Sequence, residues 1–140
     1  MKIEKFKNNG IAFDFDKDMV NATDMIKNFP EKNMGNFLRN KQTKDFITEL
    51  ENDMLISTST DSKAINVVKG GNPNMQGTWM HKLLAFKFAA WLSPKFELFV
   101  YKVFDKHAYS EIKKAKDEVR NAQLMESIAW NHLDAKDNYR

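Results

Sequence analysis

The stretch that decides the fold is "KGGNPNMQGTWMHKLLAFKFAAWLSPKF", Lys69 to Phe96, which changes character halfway along. Its first part, up to Gly77, is polar and rich in glycine, whereas the part after it holds five aromatic residues. Glycine, asparagine and proline are typical of turns, and apolar residues at helical spacing indicate a helix with a buried face. The segment therefore predicts a projecting hairpin tip joined directly to a core helix.

Alternating apolar residues near the N-terminus predict a first hairpin. Residues 11–16, "IAFDFD", alternate as expected for a half-buried strand, and Met19 to Ala22 would return beside it. Thr23 is then predicted to cap a short helix from Asp24 to Phe29, which Pro30 ends. A strand hairpin followed by a short helix is the expected start of the fold.

Two more helices and a second hairpin are predicted to follow. Asn33 would cap a helix through Asn40, and a third helix would run from Thr43 to about Asp53. Branched side chains predict strands from Ile56 to Thr60 and from Ala64 to Lys69. The second of these would pair with Gly77-Thr78-Trp79, which completes the hairpin around the glycine-rich tip.

The C-terminal part is predicted to be helical. A buried helix would carry Met80 to Leu92, and Ser93 with Pro94 in the first turn would start another. Beyond Tyr109 the pattern is helical but less regular, so we expect a domain over residues 1–109 and a helical extension over 110–140. This extension would either pack partly on the domain or pair with another copy. No continuous heptad repeat is sustained there, so a coiled-coil homodimer is an alternative and not the prediction.

Composition excludes several classes of protein. The chain has 140 residues, a net charge of +3 and no cysteine, so disulfides and thiolate zinc sites are excluded. No apolar run approaches the roughly 20 residues that span a bilayer. We expect one main domain with an appendage, in the cytoplasm by default, with no membrane partner.

An enzymatic function is not expected. The histidines, at positions 81, 107 and 132, have no ligand-like spacing, and each is more simply a surface or capping residue. The glycine loop matches neither of the common nucleotide-binding patterns, since its lysine precedes the glycines. We therefore predict no catalytic residues, no metal and no cofactor.

Charge is distributed unevenly along the chain. Residues 62–96 contain no acidic residue, yet they carry five lysines and His81. A second basic stretch, residues 27–44, has five lysine or arginine residues against the single acid Glu31. Two such segments form one face for a polyanion if the fold brings them together.

The residues of both segments are suited to nucleic acid. In the loop, glycines allow backbone amides to approach phosphates, lysine supplies charge, and amide side chains hydrogen-bond base edges. A plain hairpin turn and a solvated helix face are the simpler alternatives. The candidate contacts are Lys69, Gly70, Gly71, Asn72, Asn74 and Gln76 in the loop, with His81 and Lys82 after it, and Lys32, Asn33, Asn36, Arg39, Asn40, Lys41 and Lys44 in the earlier segment.

The sequence resembles the KilA-N domain of phages, bacteria and large DNA viruses. The resemblance spans roughly Gly10 to His107 and rests on "MVNATDMIK", "FLRNKQTKDFITEL" and the long stretch that begins at Lys69. Its most specific part is Gly77-Thr78-Trp79 followed by His81-Lys82, Leu84-Ala85 and residues 90–94, "AWLSP".

The resemblance implies an α+β fold similar to the winged helix-turn-helix of the related fungal APSES domain. Asp24 to Phe29 and Asn33 to Asn40 would then be the two helices of the helix-turn-helix, and residues 69–76 the wing. The wing here contains Pro73 and is not the glycine- and tyrosine-rich loop of the fungal proteins. The implied function is binding of duplex DNA in transcriptional or phage regulation.

Other functions remain open at this stage. An antirepressor or another protein-interaction module would keep the fold but bind a regulator instead of DNA. A nuclease would need a carboxylate cluster to hold a metal, and the sequence shows none. RNA is a further candidate, since no residue pattern here tests for a 2′-hydroxyl.

Overall fold

A computed structural model describes residues 1–58 and 63–137 and has an α+β fold. The chain divides into two compact units, Met1–Tyr101 and Lys102–Arg140. The strands are β1 (Lys2–Phe6), β2 (Asn9–Asp14), β3 (Met19–Asn21), β4 (Ile65–Val68) and β5 (Gly77–His81). The helices are α1 (Ala22–Ile26), α2 (Met34–Arg39), α3 (Lys41–Thr58), α4 (Lys82–Leu92) and α5 (Pro94–Asp137).

The five strands form one antiparallel sheet in the order β1-β2-β3-β5-β4. Both predicted hairpins are confirmed, although β1 adds a strand before the first. Strand β3 pairs with β5 so that Asn21 lies opposite Trp79. This pairing joins the N-terminal strands to the base of the second hairpin.

The centre of β2 is covered on both faces. Ile11, Ala12 and Phe13 are all buried, so the prediction of a half-buried alternating strand is wrong at Ala12. Helix α1 lies against β2, and the Ala12 amide donates a hydrogen bond to Asp24 Oδ2 at 3.1 Å. The small Ala12 side chain suits a position where a helix crosses closely over the strand.

Several helix boundaries differ from the predictions. Helix α1 ends at Ile26 instead of Phe29, and α4 begins at Lys82 instead of Met80, which lies in β5. Helix α1 begins at Ala22 after an Asn21 cap, so the predicted cap at Thr23 is wrong. Helix α3 runs to Thr58, which places residues 56–58 in a helix instead of the predicted strand; residues 59–60 lie outside the described residues. By contrast, Asn33 caps α2 as predicted, and its side chain accepts from the Gly35 amide at 2.7 Å.

Aromatic side chains form the core of the first unit. The Phe96 ring lies 4.9 Å from Phe6 and 5.3 Å from Phe29, measured between centroids. The Phe37 ring on α2 lies 4.8 Å from Phe88 on α4. Burying such a side chain contributes roughly 1.5–3 kcal/mol, so α2 is held in place through α4.

The turn between α4 and α5 is formed as predicted. The Phe96 amide donates to Ser93 Oγ at 3.2 Å, and Pro94 occupies the first position of α5. Helix α5 then continues without a break to Asp137. The boundary between the compact units falls after Tyr101, inside this helix, and the domain boundary at residue 109 stays a prediction.

Candidate nucleic-acid interface

Asn21 ties the base of the β4–β5 hairpin to α1. It is a buried polar residue whose Oδ1 accepts from the Asp24 amide at 3.1 Å. Its Nδ2 donates to the backbone oxygen of Gln76 at 3.0 Å, in the last residue of the hairpin tip. One side chain therefore caps a helix and fixes the angle at which the tip leaves the sheet.

Thr23, two residues after this cap, lies against Gly77 and Thr78 of β5. The Thr78 amide donates to Thr23 Oγ1 at 2.9 Å. Gly77 has φ +125, and a Cβ there would lie 3.0 Å from both Asn21 Oδ1 and Thr23 Oγ1. The Trp79 indole donates to the Met75 oxygen at 2.9 Å. Thr78 and Trp79 therefore bond the hairpin base, and Gly77 leaves room for Asn21 and Thr23 beside it.

The tip of the hairpin, residues 69–76, is organised by its own hydrogen bonds. Gly70 and Gly71 have φ +75 and +73, which glycine adopts without strain. Asn72 Oδ1 accepts from the Asn74 amide at 3.0 Å and starts a short 3-10 turn over Pro73–Met75. The Gln76 amide group donates to the Gly71 oxygen at 3.1 Å.

This arrangement divides the predicted tip contacts into two groups. The first group is Asn72 and Gln76, which are exposed but whose side chains also hydrogen-bond the loop backbone and so shape the loop. Lys69 and Asn74 are also exposed, and Lys69 forms no ion pair with any residue that the structure describes. A preformed loop loses little conformational entropy when it meets a partner.

The end of α2 and the start of α3, residues 39–44, form a corner in which Asn40 joins the two helices. Asn40 Oδ1 accepts from the Gln42 amide at 2.9 Å, so it caps α3, as Asn33 caps α2. Arg39 donates to Asn36 Oδ1 at 2.6 Å on the outer side of α2. Lys41 is paired with Asp45 at 2.9 Å, an exposed contact that a phosphate could replace at little cost.

Lys32 lies inward, unlike the other candidate cations. Its Nζ donates to the backbone oxygen of Trp91 at 2.8 Å and lies 4.7 Å from the centre of the Trp91 ring. The half-buried lysine thereby fastens the start of α2 to α4. This placement favours a structural role over the predicted contact with DNA.

Two exposed residues at the start of α3 complete the corner. Lys44 forms no ion pair within the described ranges, 1–58 and 63–137. Gln42, which was not among the predicted contacts, presents an exposed amide between Lys41 and Lys44. Its residue type and its place in the basic stretch were signals that could have identified it.

His81 and Lys82 lie at the junction of β5 and α4. His81 Nδ1 accepts from the Leu83 amide at 3.2 Å and caps α4. Lys82 Nζ lies 3.4 Å from Asp18 Oδ1, in the turn before β3. Burial lowers the pKa of His81 below its usual 6.5; the Asp18 carboxylate opposes that change and the Lys82 ammonium adds to it.

We expect stability to fall below about pH 6.5 because of His81. The folded chain holds the His81 proton less tightly than the unfolded chain does, so acidification through 6.5 favours unfolding. Above that pH the contribution of His81 to the free energy of unfolding is fully present. Urea midpoints at pH 7.5 and 5.5 should therefore differ more for the wild type than for His81→Asn, which keeps a capping oxygen but does not titrate. Equal differences in both proteins would contradict this role.

Other kinds of site find no support in the described part of the chain. Over residues 1–58 and 63–137 there is no group of three or more histidine, aspartate or glutamate residues placed to hold a metal ion. In the same ranges no helix is long and apolar enough to cross a membrane.

The two candidate surfaces are the corner, residues 39–44, and the hairpin tip, residues 69–76. Both surfaces belong to the first compact unit, Met1–Tyr101. One protein-family model matches nearly the same residues. The KilA-N domain matches residues 4–110, which is 107 of the 140 residues. Among curated proteins and among solved structures, none matches the chain significantly. The chain belongs to the KilA-N domain family, whose domain is generally DNA-binding.

Proposed function

We propose that this protein binds duplex DNA through the corner and the hairpin tip together. The observation that carries the proposal is the arrangement of the tip, where an exposed lysine and amides project from a loop with its own hydrogen bonds. Asn21 and Thr23 clamp the base of that hairpin, so the tip has a defined direction. A fixed, cationic β-hairpin is suited to enter a groove between two phosphate backbones.

The corner supplies the second contact in this proposal. Helix α2 has six residues and is about 9 Å long, whereas α3 has 18 residues and is about 27 Å long. The first turn of α3 carries Lys41, Gln42 and Lys44, with Arg39 just before it. Arginine and glutamine hydrogen-bond guanine and adenine edges, and lysine neutralises phosphate. We therefore assign groove contact to the start of α3 together with the end of α2.

The proposal also includes a biological setting. The resemblance to the KilA-N domain of phages, bacteria and large DNA viruses supports a phage or prophage protein with a regulatory DNA-binding role in the cytoplasm of a bacterial or host cell. A protein-interaction module would leave duplex DNA unbound at low salt, and a nuclease would cut it when magnesium is added. Both rivals are therefore outcomes of the binding experiment.

Binding to random duplex DNA should weaken steeply with salt. With about five phosphate contacts, the logarithm of the affinity should fall by roughly 4.5 for each tenfold rise in salt, or roughly 0.9 per contact. Lys69→Ala/Gln76→Ala should reduce this slope by about one and weaken binding about tenfold at low salt. Fluorescence anisotropy across a salt series measures both quantities.

The matched control likewise removes one lysine and one amide side chain, at the other edge of the sheet. Lys5→Ala/Asn8→Ala changes an exposed lysine on β1 and an exposed amide in the turn after it. We expect its affinity and slope to stay close to those of the wild type. If the tip variant and the control behave alike, the tip is not part of the interface.

A further inference from the structure

An apolar stripe runs along one side of α5 in the second unit. Four alanines recur every seven residues, at positions 108, 115, 122 and 129. Ile112 and Val119 lie between them at spacings of four and three, so the six residues share one side of the helix. All six are exposed, and Ile112 and Val119 have 56% and 58% of their surface accessible. This is the spacing by which two helices pack together along their length.

The residues that flank the stripe indicate which partner it fits. In two parallel helices in register, a residue on one edge of the stripe faces the residue five positions later on the other helix. Here Glu111 would face Lys116, Glu118 would face Gln123, and Met125 would face Trp130. These pairs are an ion pair, a carboxylate with an amide, and a thioether with an aromatic ring, and all three are favourable.

An antiparallel arrangement lacks this complementarity. There the same edges of the two stripes face each other, so along the stripe Glu111 and Glu118 face only Glu111, Glu118 or Met125 of the second copy, and neither glutamate meets a lysine. In the single chain Glu111 lies 3.5 Å from Lys114, a weak exposed contact within the helix. Exchanging that contact for a pair with Lys116 of another copy costs little.

We propose that two copies of this chain associate in parallel through the stripe on α5, defined by Ile112, Val119 and the four alanines. The pair places two DNA-binding units on one assembly, but its formation does not depend on DNA. Glu126 lies seven residues after Val119 on the same side of the helix, between Ala122 and Ala129 of the stripe, and is exposed. A carboxylate there weakens the pair, because association would remove it from water.

Replacing that carboxylate provides a sensitive test. Glu126→Leu should strengthen association of the full chain about tenfold or more, because a leucine fills this position and no charge is desolvated. Asp117→Leu is the control: it also exchanges one carboxylate for leucine, but on the side of the helix away from the stripe. Sedimentation equilibrium compares their dissociation constants. Equal strengthening by both variants would overturn the proposal, because general stickiness would explain it.

A disrupting variant tests the same stripe in the other direction. Val119→Lys should weaken association about tenfold or more, since it places charge in the middle of the stripe. Circular dichroism should show unchanged helix content, since position 119 is exposed in the single chain. A wild type that stays monomeric at high protein concentration, with Glu126→Leu monomeric as well, would refute the proposal.

Orientation is tested with single cysteines, since the chain has none of its own. Ala108→Cys and Ala129→Cys lie 21 residues apart, or about 32 Å along the helix. In a parallel pair each cysteine faces the same cysteine of the second copy, so both variants should form disulfide-linked dimers under mild oxidation. In an antiparallel pair at most one position can face itself, so cross-linking of only one variant would overturn the parallel arrangement.

Discussion

Gly77→Ala should lower the free energy of unfolding by about 2 to 4 kcal/mol. Two causes act together at this position. The backbone has φ +125, a conformation that residues with a Cβ adopt only under strain. The added methyl would also lie 3.0 Å from Asn21 Oδ1, which accepts from the Asp24 amide, and 3.0 Å from Thr23 Oγ1, which accepts from the Thr78 amide. Relief of that contact would weaken the cap of α1 or the bond to Thr78.

Gly71→Ala is the matched control for this prediction. Gly71 also has a positive φ, +73, but a Cβ there would meet no atom within 4 Å. Its cost should be about 1 to 2 kcal/mol, from the left-handed backbone alone. Urea unfolding followed by circular dichroism gives both values. If Gly77→Ala costs no more than Gly71→Ala, the contacts of Asn21 and Thr23 do not constrain the hairpin base.

The second hairpin and the capped helices could be predicted because their signals are local. A strand, a glycine-rich turn and a returning strand are adjacent in sequence, so β4 and β5 were found together with their tip. Asn33 and Ser93 each stand directly before a helix and cap it. Short-range hydrogen bonds of this kind depend little on the rest of the fold.

The cap of α1 could not be chosen from local signals alone. Asn21 and Thr23 are both good capping residues two positions apart. The choice depends on the pairing of β3 with β5, which places Asn21 beside Gln76 and Thr23 beside Thr78. Fifty-five residues separate the members of each bond, so only the folded chain decides between the two roles.

Long-range contacts also distinguish the candidate lysines from one another. Lys32 and Lys44 look alike in a basic stretch, yet the first bonds Trp91, 59 residues away, and the second remains exposed. The strand predicted to begin at Ile56 is wrong over residues 56–58 for a different reason. Helix α3 continues through 56–58 because extending an existing helix by one residue is easier than starting a strand, despite the branched side chains there.

Reversing one charge on each candidate surface should nearly abolish DNA binding. Lys44→Glu/Lys69→Glu replaces an exposed lysine at the corner and one at the hairpin tip. Each change removes a phosphate contact and adds repulsion, so we expect affinity for random duplex to fall about 100-fold or more at low salt. Stability should change little, because neither lysine forms an ion pair among the residues described.

The control must separate local contacts from the charge of the whole protein. Both this variant and Lys5→Glu/Lys113→Glu take the net charge from +3 to −1, since each reversal removes two units. Lys5 lies on β1 at the opposite edge of the sheet from β4, and Lys113 lies on α5 in the second unit. If the two surfaces contact DNA, the first variant loses far more affinity than the control in anisotropy titrations. Equal losses would mean that only the overall charge attracts DNA, and the assignment of the corner and the tip would fail.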